Sequence, residues 1–158
     1  MGSSQSDWSR PPDDRRHDEV PGRAVCEDAS VDIQAIAAVV FAVVAGGVVV
    51  FQLALALGAP WGAYAMGGSF PGRFPPPLRV AAVVQGLVIG LLAVVVLSDA
   101  GVVLPDIAAA FPWLIWVPVA VSALAVVLNA ISRSAGERRI WVPVAVVLLT
   151  TSLVVALT

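Results

Sequence analysis

Three carboxamides, Gln52, Gln85 and Asn129, stand inside long stretches of otherwise apolar sequence. An amide offers two N–H donors and a carbonyl acceptor, so it binds and orients, but it neither shuttles protons nor attacks carbonyls. Two roles are open to such side chains: hydrogen bonds between helices that act as structural glue, or the lining of a small-ligand site or pore mouth. Catalysis has less to draw on. None of the long apolar stretches carries Asp, Glu, His, Lys or Arg in its interior, and chemistry or ion coupling inside a membrane usually needs one. Ser98, Ser122, Thr150, Thr151 and Ser152 have no base nearby in sequence. Hydroxyls in apolar helices mostly bond back to their own backbone. The one histidine, His17, and the one cysteine, Cys26, lie in the polar N-terminal segment. Two isolated residues there make a poor metal site, and a single cysteine closes no internal disulfide. The residues therefore predict a non-enzyme without metal or cofactor.

A second cluster runs from Gly58 to Arg79, where Trp61, Tyr64, Phe70 and Phe74 alternate with Arg73, Arg79, glycines and prolines. Gly58 and Pro60 end a helix, Gly67 and Gly68 permit a turn, and Pro75, Pro76 and Pro77 predict a stiff extended segment. Aromatic rings with one polar edge favour the headgroup layer of a bilayer. The stretch is either an interfacial connector or a lid or docking loop for a partner. It is long for a mere connector.

The elements that position these residues follow from composition. With 59% hydrophobic and 13% charged residues, the chain lies outside the usual balance of a soluble domain. Four stretches, at about 33–57, 80–97, 111–131 and 140–157, have the length at which an apolar helix spans the hydrocarbon layer. Valine is abundant, but barrel-type alternating segments are absent, and in lipid a helix satisfies its own backbone. The fold class expected is all-α: an antiparallel four-helix transmembrane bundle behind a disordered acidic tail, residues 1–32. That tail cannot bury enough apolar surface to offset the entropy of ordering. Its start, Met1 to Ser6, fits a loose myristoylation pattern, which four spans make redundant. No secretory signal peptide is expected, because the first apolar run begins late and is long. No basic stripe carries interleaved aromatics outside the apolar runs, so nucleic acid is not an expected partner.

Small residues at four-residue spacing, Ala38, Ala42, Gly46, Ala54 and Gly58 in the first span and Ala82, Gly86 and Gly90 in the second, predict close packing as a hairpin, or one stripe serving a homodimer. In the third span Pro118 should kink or delay the helix. Residues 115–121 and 140–146 both read Ile-Trp-Val-Pro-Val-Ala-Val. A tryptophan anchor followed by proline near a first turn accounts for this better than an inverted duplication. Four crossings place loops 58–79 and 132–139 on one side, with Arg73, Arg79, Arg133, Arg138 and Arg139. Arginine excess near span ends marks the cytoplasmic face, so both termini are expected outside. Gln52, Gln85 and Asn129 then share the leaflet beneath the loop.

The run from Phe51 to Gly62, with Gly58-Ala59-Pro60-Trp61-Gly62 at its centre, resembles a group of small uncharacterised bacterial membrane proteins. So do Gly67-Gly68, Pro76-Pro77-Leu78-Arg79-Val80, Trp113 to Trp116, Asn129 and Glu137-Arg138-Arg139-Ile140-Trp141. The resemblance covers nearly everything after the tail. It implies a four-helix integral protein of a bacterial plasma membrane with no assigned activity, and the Lys-free, Ala/Val/Arg-rich composition is actinobacterial in style. The reading is a non-catalytic membrane protein that binds a protein partner or lipid through Trp61, Tyr64, Arg73 and Arg79. The alternative is a small transporter or channel subunit using Gln52, Gln85 and Asn129.

Overall fold

A computed structural model of the chain describes residues 21–158, with side chains from residue 33 onward. The described residues form helices and no strands: α1 (Pro21–Ala56), α2 (Pro76–Asp99), α3 (Pro105–Ala110), α4 (Trp116–Ala130) and α5 (Ala135–Leu157), with single 3₁₀ turns at Gly62–Tyr64 and Met66–Gly68. Three stretches, Ile33–Ala56, Pro76–Asp99 and Ala135–Leu157, are long and apolar enough to cross a membrane. The fourth, α4, is apolar but shorter.

Helix boundaries correct the sequence reading at several points. α1 begins at Pro21, so helix replaces the disorder expected over residues 21–32. Proline suits a first helical position, and extending a helix that is already nucleated costs little. Residues 1–20, with His17 and the myristoylation pattern, lie outside the described residues, as does the side chain of Cys26. Pro76 and Pro77 are not extended but open α2, with Pro75 as its N-cap. In a first turn the missing N–H had no intrahelical partner to lose. α5 starts at Ala135, so Glu137, Arg138 and Arg139, expected in a connection, belong to its first turns. Ser134 caps that helix, its Oγ accepting from the Glu137 N–H at 3.2 Å. α4 starts only at Trp116, which puts Pro118 in its first turn.

The long helix ends share one device. At Gly58, with φ of 95°, the Ala59 N–H bonds to the Ala54 carbonyl and the Gly58 N–H to that of Leu55, the paired bonds of a Schellman stop. Gly101, with φ of 69°, ends α2 in the same way through Val102 to Leu97 and Gly101 to Ser98. The buried Ser98 then donates to the Leu104 carbonyl at 2.7 Å, fastening the turn into α3.

α1 is the central helix. Its buried positions Ala38, Phe41, Ala45, Val48, Gln52 and Leu55 alternate three and four residues apart, the spacing that keeps a seam facing its neighbours. α1 packs along both α2 and α5, and α4 packs on α5, whereas α2 and α4 scarcely touch. Near one end Gln34 donates to the Val155 carbonyl. Toward the other, Phe51 meets Trp141 edge to face at 4.7 Å between centroids. The main core gathers Phe41, Leu92, Val96, Ile115 and Val155 around small alanines of α1. A smaller one joins Leu55, Phe74 and Ala82 under the 58–79 loop. Of the small-residue stripe, Ala82 and Gly86 are buried as a hairpin requires, but Gly46 is exposed with open space where a Cβ would go.

Phe41 is 2% exposed at the centre of the main core, so Phe41→Ala should lower stability by about 3 kcal/mol, the low end for a buried Phe truncation. Thermal unfolding in detergent, read by circular dichroism, checks this. An unchanged midpoint would contradict the placement of Phe41 at the packing centre.

Candidate functional site

α2 packs mainly on α1 and α4 mainly on α5, with slight contact between α2 and α4, and a cavity of about 600 Å³ opens among the four helices. That size falls within the range of roughly 300–1,000 Å³ usual for small-molecule sites. Val48, Val88, Ile89, Ala145 and Leu148 form apolar walls, and Phe41 and Leu92 the floor. Beneath the floor lie Val96 and Ile115 of the main core, both buried. The roof is the 58–79 loop, which contributes Ala65, Met66, Gly67 and Phe74.

That roof is built from backbone contacts and ring packing. The Gly62 N–H bonds to the Gly72 carbonyl at 3.0 Å, closing the loop on itself. A Cβ on Gly62 would overlap the Phe70 carbonyl oxygen, so only glycine fits. Trp61 stacks on Phe51, with centroids 6.0 Å apart and planes at 11°. The Trp141 indole N–H donates to the Tyr64 carbonyl at 2.7 Å. Ser134 lies within 3.5 Å of the Ala63 carbonyl, and the Tyr64 ring lies against Gly136. Arg79 donates through Nε to the Phe74 carbonyl at 2.9 Å, and its guanidinium covers Gly58. Arg73 is exposed.

All three amides singled out in the sequence line this cavity at its roofed end. Gln52 is 7% exposed, and Gln85 lies on the rim. The expected interhelical hydrogen bonds are not how they are used. Asn129 donates to the Ala125 carbonyl of its own helix at 2.7 Å, which leaves its amide oxygen free to accept. Among the described residues Gln52 and Gln85 have no side-chain hydrogen bond, and no side-chain polar atom is both fully enclosed and unpartnered. Both contribute to the cavity lining, Gln52 buried and Gln85 exposed.

Two residues that the sequence reading did not assign to the site complete this end. Glu137, 8% exposed, lines the cavity beside Ser132. Ser132 donates to the Glu137 carboxylate and accepts from the Ser134 N–H at 3.3 Å. In a reciprocal capping box the glutamate itself would take that N–H. Here Ser132 stands between, so the carboxylate is held without being consumed by the helix end. The signal was present as Ser134-x-x-Glu137 ahead of an apolar run, a spacing that fixes the glutamate in a first helical turn. Trp61, Tyr64, Arg73 and Arg79 do not line the cavity; Trp61, Tyr64 and Arg79 instead fasten its roof.

Since Gly62 admits no Cβ, Gly62→Ala should open the roof while sparing the helices. Protease nicking within 58–79 is expected to rise at least about tenfold, the equivalent of roughly 1.4 kcal/mol of local opening. Unaltered nicking would show that the Gly62–Gly72 closure does not hold the loop.

The chain matches no protein-family model, no curated protein and no solved structure.

Proposed function

We propose that this chain is a non-catalytic integral membrane protein that binds a lipid-like amphiphile in the cavity roofed by the 58–79 loop. The observation that carries this reading is the cavity's polarity: long apolar walls open sideways between α2 and α4, and amides gather at one end. An amphiphile has the same division, with a tail to fill the walls and a head to meet the amides. The gap between α2 and α4 supplies an entrance from the acyl-chain layer. The packed floor and the core beneath it favour a binding pocket over a continuous pore, which places the transporter or channel reading second.

The proposal includes an antiparallel four-helix bundle in a bacterial plasma membrane, with α4 and the turn at residues 112–115 making the fourth crossing. The turn lengthens a helix that is short by itself, and tilt or local thinning of the bilayer accommodates the remainder. Loops 58–79 and 131–134 face the cytoplasm, in keeping with the arginines at that end. Aromatic and arginine side chains of the roof lie at headgroup depth.

The binding reading is tested by native mass spectrometry of protein extracted gently from its own membrane. Wild type should retain a lipid-like molecule, and Ala125→Trp, which fills the cavity from α4, should reduce that retention at least about tenfold, the loss expected from blocking a well-formed pocket. Empty wild-type protein, or equal retention in the variant, would remove the cavity as the site.

Orientation is tested separately at the exposed Ser69. With Cys26→Ser as background, Ser69→Cys should react with an impermeant maleimide only after the cells are permeabilised. Free reaction in intact cells would reverse the topology.

A further inference from the structure

Resting on the amphiphile site just proposed, we infer that the cavity selects a cationic head, an amine-bearing amphiphile, and that Glu137 is the residue that sets this preference. Its polar end combines the Glu137 carboxylate with Gln52, Gln85, Asn129 and Ser132, and no arginine or lysine is among the lining residues. Arg73 and Arg133 are exposed and outside the lining. Arg79 is occupied by the Phe74 carbonyl and covers Gly58. Arg138 reaches the Ser132 carbonyl with an exposed guanidinium, and Arg139 lines a separate surface cleft beside Ala130 and Val142.

Among the described residues, Ser132 is the one side-chain partner of the Glu137 carboxylate. A carboxylate accepts at two oxygens, so capacity remains on a group that is more than nine-tenths buried. An ammonium head supplies three N–H donors and the opposite charge. The amide oxygens of Gln52, Gln85 and Asn129 are suitable acceptors for the remaining donors. An anionic head would instead meet a carboxylate with no cation in the lining to offset it. A hydroxyl head meets hydrogen bonds without charge and should bind between the two.

The experiment uses full-length protein in phosphatidylcholine nanodiscs and three probes of equal chain length, a brominated alkylamine, alkanol and alkanoic acid. Bromine quenches tryptophan, and Trp141 lines the cavity. A variant with Trp8, Trp61, Trp113 and Trp116 replaced by Phe keeps Trp141 as the one fluorophore and reports occupancy, and the additional quenching in wild type, where Trp113 and Trp116 are exposed, reports partition into the bilayer. After correction for partition, the amine should occupy the site about tenfold more tightly than the acid, the size expected of a charge-assisted hydrogen bond. Glu137→Gln retains a side chain suited to a capping position. It should bring amine and acid to within about twofold of each other while leaving the alkanol unchanged. Gln85→Glu, on the rim, adds a second carboxylate and should widen the preference for amine. Equal or tighter binding of the acid in wild type, or an amine preference that survives Glu137→Gln, overturns the inference while leaving the amphiphile site standing. Failure of all three chains to quench Trp141 removes the site itself.

Discussion

The Trp141 side chain holds three otherwise separate parts of the molecule in one place. Its indole N–H bonds to the Tyr64 carbonyl, and its ring meets Phe51, which carries Trp61 on a stacked face. The last turns of α1, the 58–79 loop and the first turns of α5 are thereby joined. A backbone carbonyl in a loop near apolar surroundings gains from a donor, and the N–H of the half-buried Trp141 indole gains from an acceptor. Each resolves the other's demand. Together with the Gly62–Gly72 closure and the burial of Phe74 against Leu55 and Ala82, that exchange directs the loop back over the helices.

The second constraint is the arrangement of neighbours around α1. One helix can present a seam to two partners, and α1 does so with α2 and α5. α4 packs mainly on α5, so α2 and α4 are left in slight contact as the two sides of an opening. In water such an opening would be closed by hydrophobic collapse. For a chain placed in lipid, as proposed, tails are as apolar as side chains, so that driving force would be missing and packing quality would decide. Four polar side chains facing such a space are not neutral, because an amide left without a partner in apolar surroundings costs about 1–3 kcal/mol. Gln52, Gln85, Asn129 and Glu137 meet at one end of the opening rather than being scattered along it. Asn129 and Glu137 are partly satisfied by Ala125 and Ser132, and the capacity that remains at this end suits water or a polar head.

Much of this was legible in the sequence. Gly58 and Pro60 marked the end of α1, long uncharged runs marked the apolar helices, and the amides were placed at one level. The position of each face was not legible. A row of residues four apart advances about 40° around a helix at each step, since 3.6 residues complete a turn. The row from Ala38 through Ala42 to Gly46 therefore walks from the buried side to the exposed side. The real seam, at Ala38, Phe41, Ala45, Val48, Gln52 and Leu55, corrects itself by alternating steps of three and four. Glu137 was hidden for a related reason. As one acid among arginines it looks solvated, and only the placement of Ser134 as N-cap turns it inward toward Ser132.

The repeated heptapeptide shows why local identity fixed so little. In residues 115–121 it lies across the start of α4: Trp116 is the first helical residue and Pro118 is buried in the first turn, where its lack of an N–H leaves no hydrogen bond unmade. In residues 140–146 the same seven residues fall inside α5, which began at Ala135, and Pro143 interrupts a helix already running. There the proline deprives the Arg139 carbonyl of its usual i+4 donor. Trp116 stays exposed, whereas Trp141 lines the cavity and holds the loop. What differs is what comes before: Pro112 and a run of turns ahead of one copy, and Ser134 as N-cap with Glu137 three residues on ahead of the other. A capped start five residues upstream turns an entry sequence into the wall of a site.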